Sequence, residues 1–415
     1  MVVDDANDVV VGGTFRGSVD FGGITRASAG GSDWFIAKYT PSGSLVWVKT
    51  MGGTGDDFIE SIDAGSAGEV VATGRFTGTA GFGGTPLVAS GTSDIAVAKY
   101  DVDGNHKWSK RFGGVYDDSG GAVAIDGSGA VVLTGYFRGT ADFGNGPLRV
   151  PFDTDLDLFV AKFDSDATGT TLWSKNFTNT GNDRGYGIAV DASGNIALTG
   201  SFSNTIDLGG GELNSPNAMI DIFLAKFTSG GAHLWSRQIG AATANEAPNA
   251  LAVDASGNVI ITGYVIGAVD FGGGSLTALG SADAFVAKYA ATTGNHLWSR
   301  RLGGSGNDYG NGVAVERSTG AVFVSGSFED VASFGGAPLT PFGADDAFVA
   351  KFTATGQASW SRQLGGTNSD IALAMAIGSS GYPITGGYFY GSGTFGATTL
   401  NSAGLADAFV VSLDP

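Results

Sequence analysis

Residues 283–304 read DAFVAKYAATTGNHLWSRRLGG, and this stretch decides the fold. Its opening heptapeptide returns in seven versions: DWFIAKY, DIAVAKY, DLFVAKF, DIFLAKF, DAFVAKY, DAFVAKF and DAFVVSL. The aspartates that open them are Asp33, Asp94, Asp157, Asp221, Asp283, Asp346 and Asp407, spaced by 61, 63, 64, 62, 63 and 61 residues. A period near 62 residues over the whole chain means one repeating architecture with no linker. In the fifth copy four runs read as strands: ALAVD (250–254), NVIITGYV (258–265), DAFVAKY (283–289) and HLWSRRL (296–302). They are short, β-branched or aromatic, and separated by Gly, Asn, Ser and Asp. They are called A, B, C and D below.

No stretch shows sustained helical periodicity. Four strands per repeat, repeated radially, predict an all-β chain, a seven-bladed β-propeller. The expectation is a single domain, 1–415, with blades near 1–53, 57–114, 119–178, 184–240, 247–304, 309–366 and 371–415. A glycine recurs in strand B, from Gly13 to Gly386, which signals a bulge or a close backbone approach. Tryptophans 47, 108, 173, 235, 298 and 360 recur in strand D and read as wedges between blades.

Composition narrows the function. Among 415 residues, 22 basic side chains face 40 acidic ones, for a net charge of −18. Phosphates would be repelled, so nucleic acid is not an expected partner. No apolar run approaches the ~18 residues of a membrane span, so no direct membrane insertion is expected. Cysteine is absent, which removes disulfides, thiolate metal sites and cysteine nucleophiles together. The opening MVVDDANDVVVGG has neither a basic nor an apolar signal region, so it is not read as a signal peptide.

DAFVAKY, LWSRRLGGSGND, GVAVE and the V-x-V-x-G strand together resemble the bacterial seven-bladed β-propeller repeat family. The resemblance covers essentially the whole chain. It implies the propeller fold and an extracellular or cell-surface setting in bacteria; it implies no catalytic residue. A second, partial resemblance lies in ATTGNHLW (291–298) and DATGTTLW (166–173), which look like the tryptophan-docking turn of pyrroloquinoline-quinone-type propellers. That turn reads as shared packing mechanics, because the cofactor ligands of those dehydrogenases have no counterparts here.

Strand parity puts the tight A–B and C–D turns on one face and the B–C and D–A connections on the other. The B–C connection, as in 267–282, reads as a loop of roughly 17 residues, and long loops carry function disproportionately. Binding is therefore expected on the B–C/D–A face. An acidic column lies there: Asp57, Asp118, Asp183, Glu246, Asp308 and Asp370. Carboxylates around a channel mouth would attract cations, Ca²⁺ among them. The plainer alternative is that each caps a loop or pairs with a recurring base of strand C or D, since strands covered on both faces cannot hold unpaired charge cheaply.

Residues that break the repeat are the better functional bets. Tyr116, Arg184, Tyr186 and Tyr309 stand out in the D–A connections, with Arg149, Phe152, Asp155, Asn217, Met219 and Phe342 in the B–C ones. Asp153 and Asp155 in FDTDLD are the weak metal candidates; no cofactor is otherwise expected. His106, His233 and His296 all precede a strand-D tryptophan by two residues, which reads as strand-start packing rather than catalysis or zinc binding. DVDGN (101–105) resembles half a calcium loop, but Phe112 stands where the bidentate acid belongs, so it reads as a turn.

These observations favour a non-catalytic binding or scaffold propeller that recognises a protein or glycan. The alternatives are a propeller hydrolase, lyase or quinone-dependent oxidoreductase with an axial site, and a purely structural spacer. A last expectation concerns the seventh repeat. Strand D occurs six times against seven for strand C, so the seventh blade should have three strands and an exposed C edge. A partner strand or an upstream segment would complete it.

Overall fold

The computed structural model describes residues 1–150, 152–177, 180–241 and 244–414. It is all-β, and its one helical element among the described residues is a 3-10 turn at Pro216–Ala218. The second repeat shows the plan: strands Phe58–Ala64, Val70–Phe76, Asp94–Tyr100 and His106–Phe112 form an antiparallel sheet in the order A–B–C–D. The third repeat follows with Ser119–Ile125, Val131–Phe137, Asp157–Phe163 and Thr171–Phe177. These sheets are the blades of a β-propeller.

The chain sorts into two compact units. One comprises Met1–Val190, Thr205–Glu212 and Thr228–Ala232; the other comprises Asp191–Asn204, Leu213–Phe227 and His233–Pro415. The first carries repeats one to three and strand A of the fourth, Arg184–Val190. The second carries strands B to D of the fourth and repeats five to seven.

Packing explains the recurring letters. All seven residues of Asp94–Tyr100, Asp157–Phe163 and Asp283–Tyr289 are buried, as a strand covered on both faces requires. Opposite Gly74, Gly135, Gly263, Gly326 and Gly386 of strand B the A strand is bulged, as between Pro248 and Ala250, and a Cβ on Gly263 would collide with the Ala247 carbonyl. Trp47, Trp108, Trp173, Trp235 and Trp298 lie on the next repeat's C–D turn. Trp47, Trp235 and Trp298 donate Nε1–H to the carbonyls of Val102, Ala291 and Ala354, at 3.0 Å in each case. Glycine is needed in those turns because Gly294 and Gly356 lie directly over the Trp235 and Trp298 rings. The ATTG turn therefore does the packing expected of it.

Five strand-C lysines, Lys38, Lys99, Lys162, Lys226 and Lys288, are almost completely buried, and each ties its strand to the A–B turn of the same sheet. Lys38, Lys162, Lys226 and Lys288 reach Asp4, Asp126, Asp191 and Asp254 at 2.6, 2.7, 2.8 and 2.9 Å. Lys99 and Lys226 also donate to the following repeat's Gly129 and Gly257 carbonyls, at 2.7 Å each.

The B–C connection is not the long open loop expected. It is a β-hairpin arm: Thr140–Asp142 pairs with Pro147–Arg149, and Ala268–Asp270 with Ser275–Thr277. In the first and seventh repeats, strands B and C simply run on into the arm, over Val9–Asp20 with Thr25–Tyr39 and Pro383–Phe395 with Thr398–Ser412. Pairing satisfies backbone groups that a loop would have to expose. The turn at the tip drives a phenylalanine back into the core, so Phe82, Phe143, Phe271 and Phe334 are buried, and Tyr100 and Tyr289 donate to the Phe82 and Phe271 carbonyls at 3.0 and 3.1 Å.

The seventh sheet has strands Ile371–Ile377, Pro383–Phe395 and Thr398–Ser412, and no fourth strand among the described residues. Val2–Val3 pairs with Val9–Val10 in the first sheet, so the N-terminal residues do not fill that place.

Candidate functional site

The B–C arms and D–A connections meet at one end of the sheets. Bridges join Ser93 to Asp117 in the first unit and Ala282 to Asn307 in the second. The acidic column is there, but Asp57, Asp118, Asp183, Glu246, Asp308 and Asp370 are all fully buried. Asp118 accepts from the backbone N–H of Gly114 (2.7 Å) and Arg138 (2.8 Å), and Asp57 accepts from Gly53 (2.8 Å) and Thr77 (2.9 Å). Asp308 takes Gly304 at 2.7 Å, Asp370 takes Gly366 at 2.6 Å, and Glu246 takes Ala241 at 3.3 Å. The Asp183 N–H donates to the Leu156 carbonyl at 2.6 Å. Asp57, Asp118, Asp308 and Asp370 clamp the Gly-Gly turns, Glu246 holds the corresponding Gly-Ala turn, and none of the six acids presents its charge to solvent.

Asp57 and Asp118 face the aspartates that open strand C, Asp33 and Asp94, across the first of those glycines. A Cβ on Gly113 would lie 2.5 Å from Asp118 Oδ2 and 3.0 Å from Asp94 Oδ1. Strand D supplies the partner of the opening aspartate. Arg111 pairs with Asp94 and Arg301 with Asp283, whereas Gln238 and Gln363 donate to Asp221 and Asp346. Burial, reinforced by the neighbouring aspartate, overrides the backbone donors and pushes Asp118 and Asp308 up to about 7. Glu246 rises to about 8, from burial first and the Asp221 charge last.

These shifts fix a pH dependence. Between the ordinary carboxylate range and pH 7–8 the folded chain holds protons that the unfolded chain has released, so stability falls as pH rises through that window. The opposite limb comes from Asp126, Asp191 and Asp254. Burial works against their charge, but the lysine and turn hydrogen bonds outweigh it and hold them below the ordinary range. Their stabilisation is lost only as pH drops through their lowered values. Urea midpoints measured from pH 3 to 9 are expected to peak near pH 4–5. Glu246→Gln is expected to flatten the alkaline limb; a profile still rising from pH 5 to 8 would contradict this.

In the first unit, Phe152 and Val115 are 54% and 69% exposed. Tyr116 Oη reaches Asp153 Oδ2 at 3.5 Å, and the Arg184 guanidinium lies 5.3 Å from the Tyr136 ring centre. Tyr186 is half-buried in strand A of the fourth repeat, and the Arg149 carbonyl accepts from Asn176 at 2.9 Å. Asp155 is occupied by Thr154 (3.0 Å) and the Gly181 N–H (3.3 Å). Among the described residues no three His, Asp or Glu side chains gather to hold a metal ion. In the second unit, Asn217 forms part of the 3-10 turn and the Met219 carbonyl accepts from Ser215 at 2.8 Å. The histidines are half-buried and bond to a serine three residues on: His106 to Ser109, His233 to Ser236 and His296 to Ser299. Asp101 closes its own turn by accepting from Asp103 and Asn105 N–H at 3.0 and 2.7 Å.

The second unit assembles a group that the sequence reading found only in part. Tyr309 stands edge-on to Tyr264 with ring centres 5.3 Å apart, and Tyr388 stands edge-on to Tyr390 at 6.0 Å. Beside them lie Glu329 and Asp345; burial first, and then the neighbouring Glu329 carboxyl, raise Asp345. Asn307 donates its backbone and side-chain N–H to Glu329 Oε2 at 3.1 and 2.9 Å, and Ser369 donates to Asp345 at 3.1 Å. Asp345 charge is felt by both Tyr309 and Tyr388. The signal was present, since Asp345 is the one acid at a position that elsewhere holds Ser, Leu, Ile or Ala. Tyrosine faces beside carboxylate acceptors suit sugar rings and basic side chains.

No protein-family model matches the chain. It is 25% identical to an uncharacterized WD repeat-containing protein of Acanthamoeba polyphaga mimivirus, over 86% of this chain and 31% of that one. It is 26% identical to the regulatory protein FlaEY of Caulobacter vibrioides, over 85% of this chain and 38% of that one. The chain thus spans only about a third of the length of each curated relative. Among solved structures it is similar to BamB from Moraxella catarrhalis, with TM-score 0.39, 12% identity, and 91% and 96% of the two chains covered. It is also similar to quinohemoprotein alcohol dehydrogenase from Comamonas testosteroni, with TM-score 0.41, 10% identity, and 99% and 77% covered. Likenesses at this level assign the chain no family and no activity.

Proposed function

We propose that the protein is a non-catalytic binding scaffold, working at or outside a bacterial cell surface, whose B–C/D–A face recognises a protein or glycan. The observation that carries this reading is the aromatic and acidic group of the second unit: Tyr264, Tyr309, Glu329, Asp345, Tyr388 and Tyr390. Leu279 and Phe342, in the connections leading into strand C, are 66% and 63% exposed and add apolar contact. The repeat-conserved acids are buried clamps and leave no charge for chemistry there. The extracytoplasmic setting rests on the resemblance of the repeat to bacterial surface propellers.

The test applies the fluorescently labelled 415-residue chain to a glycan array and to fixed intact bacteria. Saturable retention is expected on one of the two, reduced at least about tenfold by the double variant Tyr309→Ala, Tyr390→Ala. The exposed control Val46→Ala should leave retention unchanged. Retention equal in the double variant, or none on either surface, would overturn the reading.

A further inference from the structure

We infer that the B–C/D–A end of the first unit holds a binding site for a carboxylate-bearing sugar, built on Arg138 and Arg184 about the ring of Tyr136, with Arg75 beside them. Elsewhere arginines of the strands are occupied. Arg111 and Arg301 pair with Asp94 and Asp283, and Arg237 and Arg300 donate to the Gly294 and Gly356 carbonyls at 3.1 and 2.9 Å. Arg138 and Arg184 are the two arginines, among the described residues, whose Nε–H is buried without an acceptor. Neither makes an ion pair among the described residues. A buried donor with no acceptor costs free energy that a ligand oxygen would recover.

Repeat packing gathers these groups around one ring. Strand A of the third repeat seats on strand B of the second, where a Cβ on Gly120 would lie 2.1 Å from Thr73 Oγ1. Strand A of the fourth seats on strand B of the third in the same way, where a Cβ on Gly185 would lie 2.2 Å from Thr134 Oγ1. Arg75 and Tyr136 each directly follow a strand-B glycine, and Arg184 directly precedes Gly185. The Arg184 guanidinium therefore lies 5.3 Å from the Tyr136 ring centre, and Arg138 follows Tyr136 by two residues at the root of the arm. Arg75 lies 4.6 Å from the Phe58 ring centre and 3.3 Å from Glu60. Burial raises the Tyr136 phenol, and the charges of Arg184, Arg75, Glu60 and Asp117 all reach it. Of those two acids, Glu60 is raised by burial ahead of the opposing Arg75 charge. Asp117 is exposed and accepts from Ser93 at 3.4 Å. The Tyr116 ring lies against Gly139, 3.0 Å from where a Cβ there would stand.

A guanidinium presents Nε–H and Nη–H as a fork that takes both oxygens of a carboxylate. Tyr136 and Tyr116 add flat, amphipathic faces of the kind that pack on a sugar ring. Phosphate brings more negative charge than a carboxylate, and the field of a chain at −18, with Glu60 and Asp117 close by, disfavours it. The site is thus opposite in charge to the tyrosine and acid group of the second unit, and it stands or falls separately from that group.

The test reads D-glucuronate on the 415-residue protein by ligand-observed saturation-transfer NMR. D-glucose, acetate, inorganic phosphate and a capped glutamate peptide are added in turn as competitors. Saturable glucuronate binding is expected in about the millimolar range, with every competitor at least about tenfold weaker. Arg184→Gln and Arg138→Gln should each weaken glucuronate at least about tenfold. Their melting temperatures should hold, because neither Nε–H has an acceptor to lose and the Arg138 backbone N–H stays on Asp118. Arg184→Lys keeps the charge without the fork and should restore only part of the binding. The exposed control Val46→Ala should leave binding unchanged. Displacement by glucose, acetate or phosphate at equal concentration would show that the ring or the charge alone is read, and would overturn the inference. Displacement by the glutamate peptide would make the ligand an acidic polypeptide and overturn it too. So would glucuronate binding that does not saturate, or binding unchanged in both glutamine variants.

Discussion

Trp298→Ala is expected to destabilise the protein by about 3–5 kcal/mol, the range for deleting a large buried aromatic. Trp298 is 7% exposed and lies in the cluster with Val324, Phe328 and Phe352. Its Nε1–H holds the Ala354 carbonyl at 3.0 Å, so truncation both opens a cavity and strips a buried acceptor. Gly356 has no side chain with which to refill the space. Trp298→Phe separates the two effects: it keeps most of the apolar fill and loses the hydrogen bond, for about 1–2 kcal/mol. Urea unfolding followed by far-UV circular dichroism measures both. A loss below about 1 kcal/mol for Trp298→Ala would show that the ring does not anchor the neighbouring turn.

Lys226→Ala should cost about as much, roughly 3–5 kcal/mol, for a different reason. The ammonium sits 2.8 Å from Asp191 and 2.7 Å from the Gly257 carbonyl, with Lys226 only 1% exposed. Removing it leaves a buried carboxylate without its cation. The double variant Lys226→Met, Asp191→Asn removes both charges and keeps the volume, and it should recover most of the loss. The single variant should also lose the acid tolerance conferred by the lowered Asp191 pKa, so its urea midpoint should fall at a higher pH than that of the parent protein. If Lys226→Ala and the double variant are equally stable, the pair does no structural work.

The strand-C heptapeptide and the strand-D tryptophan were legible because each has one physical solution. A run such as DAFVAKY, apolar on both faces, has to be an interior strand, and a lysine within it has to find an acid. The B–C arms were not legible. Segments such as ADFGNGPLR look like loop because glycine dominates, and the pairing of Ala141 with Leu148 is worth making only once Phe143 has a pocket to enter. The acidic column was visible as a pattern, but its direction was not: a recurring Asp before strand A reads the same whether it faces water or two backbone N–H groups. Glu329 and Asp345 lie sixteen residues apart and meet because the arm folds between them.

The sequence alone determined the period, the strand types and the positions of the A–B and C–D turns, since each follows from local pattern and counting. Tertiary structure alone decided which charges are spent and which are available. Desolvation and hydrogen bonding depend on what lies opposite a side chain, and opposite neighbours here come from other strands or the next repeat, as with Trp298 and Ala354, 56 residues on.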